Sequence, residues 1–144
     1  VSDWNDHVIR EFRANAGKVG GYFEGASMIL IHHVGAKSGR VRVSPLVCFP
    51  EPDGSMYIVA SKGGAPSNPD WYHNVRAHPR IEVEVGTQTF TVEATELDRG
   101  ERAEVWPRIV AERPGFGEYE TKTTRLIPVF RLRRVAGEAA RHAG

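Results

Sequence analysis

Ile81-Glu82-Val83-Glu84-Val85-Gly86-Thr87-Gln88-Thr89-Phe90-Thr91-Val92-Glu93-Ala94 decides the fold class. Ile81, Val83 and Val85 alternate with Glu82 and Glu84, the two-residue period of a strand with one buried face. Gly86-Thr87 reads as a two-residue hairpin turn, because glycine takes the positive φ that a type II′ turn needs first. The return strand turns Phe90, Val92 and Ala94 inward and Thr89, Thr91 and Glu93 outward. An antiparallel β protein is the starting point.

Outward from this hairpin the same character continues. Residues 27–34, 41–49 and 55–61 read as strands, the last two separated by the turn-forming Pro50-Glu51-Pro52-Asp53-Gly54. A final strand covers 126–133, with Pro128 pushing its start toward an edge or bulge. Helices frame the strands. Residues 3–18 form an amphipathic helix capped by Ser2 or Asp3, with Trp4, Val8, Phe12 and Ala16 as its core stripe and Gly17, Gly20 and Gly21 ending it. Asn68 caps a second helix, which has Pro69 first and runs to Ala77 before Pro79 stops it. Asp98 and Glu101 form a cap-and-return pair opening a third helix through Val105, Ile109 and Val110, which Pro107 should kink or divide. The fold class is α+β, mainly β: about six mostly antiparallel strands in a small closed or partly closed barrel, with an amino-terminal helix and two or three peripheral helices.

The 144 residues carry no repeat or long linker, so residues 1–144 read as a single domain. Hydrophobic residues at 40% and charged ones at 26% are globular values, which argues against wholesale disorder. Nineteen Lys+Arg against 18 Asp+Glu leave a charge of +1, too balanced for a nucleic-acid or anionic-lipid protein. One cysteine, Cys48, excludes an intrachain disulfide framework and a Cys-rich zinc site, and its apolar neighbours Val47 and Phe49 mark it as a buried, inert thiol. The longest run of large apolar residues, Met28-Ile29-Leu30-Ile31, is far too short to span a membrane, and the acidic start is unlike a secretory signal. The expectation is a cytoplasmic protein; Val1 leaves a preceding segment open.

Several chemistries are absent. No Gly-x-Gly-x-x-Gly follows a strand, and Gly35-Ala36-Lys37-Ser38 lacks the upstream glycine of a P-loop. His32 and His33 point to opposite faces of a strand, while His73 and His78 are poorly spaced for ligation, so no metal site is expected. Two turns stand out instead. Gly35-Ala36-Lys37-Ser38-Gly39-Arg40-Val41-Arg42 joins three cations and a hydroxyl to a backbone able to converge its N–H groups, as phosphate and carboxylate cradles do, although a solvated hairpin tip would look the same. Ala60-Ser61-Lys62-Gly63-Gly64-Ala65-Pro66 lets a ligand approach its backbone closely and feeds the helix of Trp71, Tyr72, His73 and Asn74. Trp71 also suits a plain anchoring role. Together the turns suit a flat, anionic ligand.

At these turns the chain resembles the deazaflavin-dependent nitroreductase family, actinobacterial split β-barrel oxidoreductases that use coenzyme F420. The resemblance is carried by residues 35–46 and 60–74, and by Arg125-Leu126-Ile127-Pro128. It implies that Lys37, Ser38 and Arg42, with Ala36 beside them, contact the phosphate and acidic tail of F420. It places Pro45, Leu46 and Val47 along the deazaflavin ring, with Ala60, Ser61 and Lys62 on its other side, and counts Val43 and Ser44 among the cofactor-binding residues. Asp70, Trp71, Tyr72, His73 and Asn74 would close over the cofactor, and Tyr119 would stand near ring and substrate. Three positions depart from the family pattern: Phe116 where some members have tyrosine, Lys122 where an aromatic can occur, and Ala36 where a basic residue is common.

The function implied is hydride transfer from reduced F420 to a small organic acceptor, a quinone, enone or nitroaromatic, with Tyr119 or Ser61 donating a hydrogen bond or proton to the acceptor oxygen. Two alternatives stand beside it: a non-catalytic F420 carrier whose acceptor pocket is blocked by the Trp4 helix or Phe116, and an FMN-dependent oxidoreductase on the same barrel. The expected partner is a small-molecule electron acceptor and no nucleic acid. Peripheral membrane contact through the amino-terminal segment is compatible with this reading, and monomer or homodimer is left undecided.

Overall fold

The structure, a computed structural model, describes residues 2–135 and 141–142. In chain order the elements are α1 (Ser2–Ala14), β1 (Met28–Val34), β2 (Val41–Val47), β3 (Phe49–Pro50), β4 (Met56–Val59), α2 (Asp70–Ala77), β5 (Arg80–Val85), β6 (Gln88–Glu96), α3 (Arg99–Glu112), α4 (Gly115–Thr121), β7 (Val129–Arg134) and β8 (Arg141–His142). Among the described residues every strand pair is antiparallel. The order is β2-β1-β5-β6-β7-β4-β3, with β8 beside the start of β6. The sheet curls until β2 and β4 approach each other without pairing, so the barrel stays split along that side.

The hairpin forms as its sequence dictates: Val85 faces Gln88 across the turn, and Gly86 takes φ +59°. Alternation then sorts the core. Ile29, Ile31, Ile58, Val83, Val92, Phe130 and Leu132 point into the barrel, where α2 supplies Trp71, Tyr72 and Val75. Both aromatic rings of α2 pack on Phe130, with centroids 5.8 and 5.6 Å away. On the outside, Val8 and Phe12 of α1 cover Met28 and Leu30. Val105, Trp106 and Ile109 of α3 cover Tyr57, Val59 and Val129. Strand β1 is therefore buried on both faces, which is why it reads as an apolar run without alternation.

Several expectations need correction. The strand expected over 41–49 breaks at Cys48 into β2 and β3, and β8 adds a further short strand. Helix α1 ends at Ala14, because Ala16 and Gly17 turn left-handed at φ +55° and +92°. Gly17 also lies against the hairpin: a Cβ there would come within 2.9 Å of Gly86 Cα. The stripe of α1 is only half core, since Trp4 is 56% exposed and Ala16 is exposed too. The capping side chains of Ser2 and Asp3 lie outside the described residues.

Asn68 does not cap α2; Pro69 holds the cap position, and the Asn68 side chain is engaged by Arg125. Asp98 does cap α3, accepting from the Glu101 N–H at 2.8 Å. That helix continues through Pro107 to Glu112. Pro128 sits just before β7, an interior strand, where no ladder donor is lost. The short α4 was not anticipated.

The largest departure is Glu84. Its alternation assigns it to the outer, polar face, yet it is only 8% exposed beneath α1. Its carboxylate accepts from Arg13 Nε at 3.1 Å and Nη2 at 2.7 Å, and lies 2.6 Å from His32 Nε2. Burial alone would raise its pKa, but the hydrogen bonds from Arg13 and His32 outweigh burial and hold it below the ordinary glutamate range. A depressed carboxylate pKa adds stability that is complete above the unfolded value of 4.5 and fades as pH falls. Glu84→Gln should lower the unfolding free energy by about 1–2 kcal/mol at pH 7, measured by urea titration, and the deficit should shrink below pH 4.5.

Candidate functional site

Residues 60–69 link β4 to α2 with little regular structure, yet they are held firmly. Arg125, in the segment before β7, donates Nε to Ala65 O at 2.9 Å and Nη2 to Ser61 O at 2.8 Å. Its Nη1 donates to Asn68 Oδ1 at 2.7 Å and to Ala60 O at 3.2 Å. A planar fork with several donors suits such a task in a way a lysine does not. Within the loop, Lys62, Gly63 and Gly64 are consecutively left-handed, at φ +47°, +63° and +84°. Gly64 has no space for a side chain: a Cβ would lie 2.8 Å from Lys122 Cβ and 2.9 Å from Tyr119 O. The loop is thereby pressed against α4.

This loop lines a cavity of about 710 Å³, within the range of small-molecule sites. Pro45, Leu46 and Val47 of β2 form one wall, and Ser61, Lys62, Gly63, Pro69 and Trp71 another. Trp4, Asn5 and Phe23 border it on the amino-terminal side, and Glu112 to Phe116 with Tyr119 on the side of α3 and α4. Phe116 stands edge-on to Phe49 at 5.6 Å and to Tyr119 at 5.5 Å. Trp4 and Phe116 thus border the cavity without filling it.

A second cavity, of about 560 Å³, is lined by Gly35, Ala36, Lys37, Ser38, Arg42, Asp70, His73 and Asn74. It holds two permanent cations, Lys37 and Arg42, and the carboxylate of Asp70. Its loop is fixed by a short polar chain. The Ala36 N–H donates to Asn74 Oδ1 at 2.9 Å, so the Asn74 amide nitrogen must face His33 Nδ1, also at 2.9 Å. That nitrogen can only donate, so Nδ1 accepts, and Nε2 carries the hydrogen given to Ser44 Oγ at 2.9 Å. His33 is neutral in this arrangement and 2% exposed. Burial first, then the charge of Arg42, lowers its pKa to about 4.

The two cavities share walls. Residues 69 and 71 face the larger and residues 70, 73 and 74 the smaller, while β2 gives residues 45–47 to one and Arg42 to the other. An apolar slot beside a cationic, N–H-bearing turn suits a flat ring with an anionic tail. The F420H(2)-dependent quinone reductase family matches residues 4–134. The chain belongs to that family. An F420H(2)-dependent quinone reductase of Mycobacterium tuberculosis is 37% identical over 128 residues, 85% of each chain. A solved F420-H2 dependent reductase, FDR-A, is 41% identical with a TM-score of 0.68, covering 79% of this chain and 100% of that one. A second solved chain, described as a domain-swapped dimer, is 38% identical with a TM-score of 0.68, covering 92% and 98%. As a member of the family this protein is an oxidoreductase with a split-barrel fold, and its cofactor is F420.

Of the residues singled out in the sequence, Pro45, Leu46, Val47, Ser61, Lys62, Trp71 and Tyr119 meet at the larger cavity. Ala36, Lys37, Ser38, Arg42, Asp70, His73 and Asn74 meet at the smaller. Four line neither. Ala60 is fully buried in the core, and Val43 packs on the outer cluster under α1. Ser44 bonds His33, and Tyr72 is buried with its hydroxyl donating to Glu96 at 3.1 Å. Cys48 is buried, and burial pushes its thiol pKa up to about 12, which keeps it inert. Among the described residues no cluster fits a metal ion, and no helix is long and apolar enough to cross a membrane. The work of Arg125, His33 and Asn68 carries no local signal in the sequence beyond the presence of Arg125 and Asn68 in the matching segments.

Two outcomes follow from this geometry. Arg125→Lys keeps the charge and loses the fork, so F420 should bind about tenfold more weakly in a fluorescence titration. The same variant should unfold with about 2 kcal/mol less free energy in urea. His33 titrates near 4 when folded against 6.5 when free, so its contribution is complete above pH 6.5 and declines as pH falls toward 4. The decline should amount to about 3 kcal/mol, and His33→Gln should remove that part of the slope in urea titrations between pH 7 and 4.

Proposed function

We propose that this protein reduces quinones with F420H2, binding the anionic tail at Lys37, Ser38 and Arg42 and the ring in the slot between β2 and the 60–69 loop. The observation that carries this reading is the shared wall: α2 and β2 border both the cationic pocket and the apolar cavity, so one elongated ligand meets both. When bound, F420H2 would supply a hydride, one proton carried with two electrons, to the quinone. The residues of the chain do the rest. Pro45, Leu46, Val47 and Trp71 exclude water and hold the flat partners in near-attack geometry. Ser61 and Tyr119 are placed as donors to the oxygen on which negative charge grows, and one of them delivers the second proton of the hydroquinone. Lys62 adds a fixed positive charge at the same wall.

In this reading residues 1–144 work as one cofactor-binding domain. The acceptor is a small molecule.

Saturable quenching of oxidised F420 fluorescence, with FMN much weaker, is the expected first result. Preference for FMN would overturn the tail assignment. With F420H2 and a naphthoquinone, Tyr119→Phe should lower kcat at least about tenfold while the F420 Kd is unchanged. An unchanged kcat would remove the tyrosine from the proton path and leave Ser61 as the donor to test.

A further inference from the structure

Arg102 projects from α3 into a buried position, 7% exposed. Two contacts fix its guanidinium: Nε donates to Ile127 O at 2.7 Å, and its carbon lies 4.3 Å from the centre of the Trp106 ring. Nη2 is buried and has no hydrogen-bond partner. Buried donors left unmet are rare, and each asks for a physical reason. Glu120 Oε2 on α4 stands 3.9 Å from this nitrogen, about 1 Å beyond hydrogen-bond length. It is the one ion pair joining α3 to α4 among the described residues.

Helix α4 needs such a tie. It has no buried residue of its own, yet it gives Phe116 and Tyr119 to the cavity. Its supports also include the edge contact of Phe116 with Phe49, the close fit of Tyr119 O and Lys122 against Gly64, and the packing of Gly117 on Val110 of α3. We propose that Arg102 is a positioning residue: through Glu120 it clamps α4, and so sets where Phe116 and Tyr119 stand against the acceptor. The proposal rests on the quinone-reductase reading above.

Arg102 is too buried for its own replacement to be informative, so the test uses Glu120, which is half exposed. Glu120→Ala should raise the naphthoquinone KM about fivefold and lower kcat about threefold, because Tyr119 shifts with α4, with the F420 Kd unchanged. Amide hydrogen exchange over residues 115–122 should quicken about tenfold in the same variant, with β5 and β6 unaffected. Glu120→Gln, which keeps an acceptor oxygen, should recover part of both effects. An unchanged KM with faster exchange would reduce the pair to a structural tie and overturn the proposal. A raised KM without faster exchange would overturn it too, because Glu120 would then act directly. Wild-type protein that reduces no quinone would overturn the functional reading instead, and the exchange comparison would then decide only whether the pair ties α4 to α3.

Discussion

Helix α2 has eight residues and must serve two surfaces at once. With 3.6 residues per turn, Trp71, Tyr72 and Val75 fall on one side and fill the barrel, while Asp70, His73 and Asn74 fall on the other and line the anion pocket. The rest of the molecule follows from that division. A small barrel needs something to occupy its middle, and here the filler is also the wall of the site. Neither the sheet nor the pocket can shift without the other.

Polar groups around α2 extend the constraint to both turns. On one side Asn74 links the backbone at Ala36 to the neutral ring of His33, with each donor and acceptor fixed by the one before. On the other, Arg125 gathers Ala60, Ser61, Ala65 and Asn68 around one guanidinium. The two turns that line the cavities are thus held for different reasons. One is set by a neutral network that acid disrupts, and the other by a cation that acid leaves alone.

The sequence made the β5–β6 hairpin legible because its alternation and turn are local, and the Asp98 cap for the same reason. It also showed both ligand-facing turns, since glycines and cations at strand ends are visible without a structure. It did not show Glu84 as a buried carboxylate: its partners Arg13 and His32 come from 71 and 52 residues away, and alternation alone assigns it to solvent. Asn68 misled for a similar reason, because an asparagine before a proline looks like a cap whether or not a distant arginine claims it. Helix α4, with two glycines in seven residues and no apolar period, carries almost no local signal. Packing against Gly64 and Phe49 makes it a helix.

Arg125 grips the loop almost wholly through main-chain carbonyls, those of Ala60, Ser61 and Ala65. Every residue type carries a carbonyl, so the grip is indifferent to which side chains stand at those positions. Descendants of this chain can exchange the side chains that line the larger cavity at 61 or 62 one by one, while the path of the backbone is preserved. Such a loop is a fixed mount for interchangeable parts, and it lets the lining of the cavity vary without each step having to solve the folding problem again.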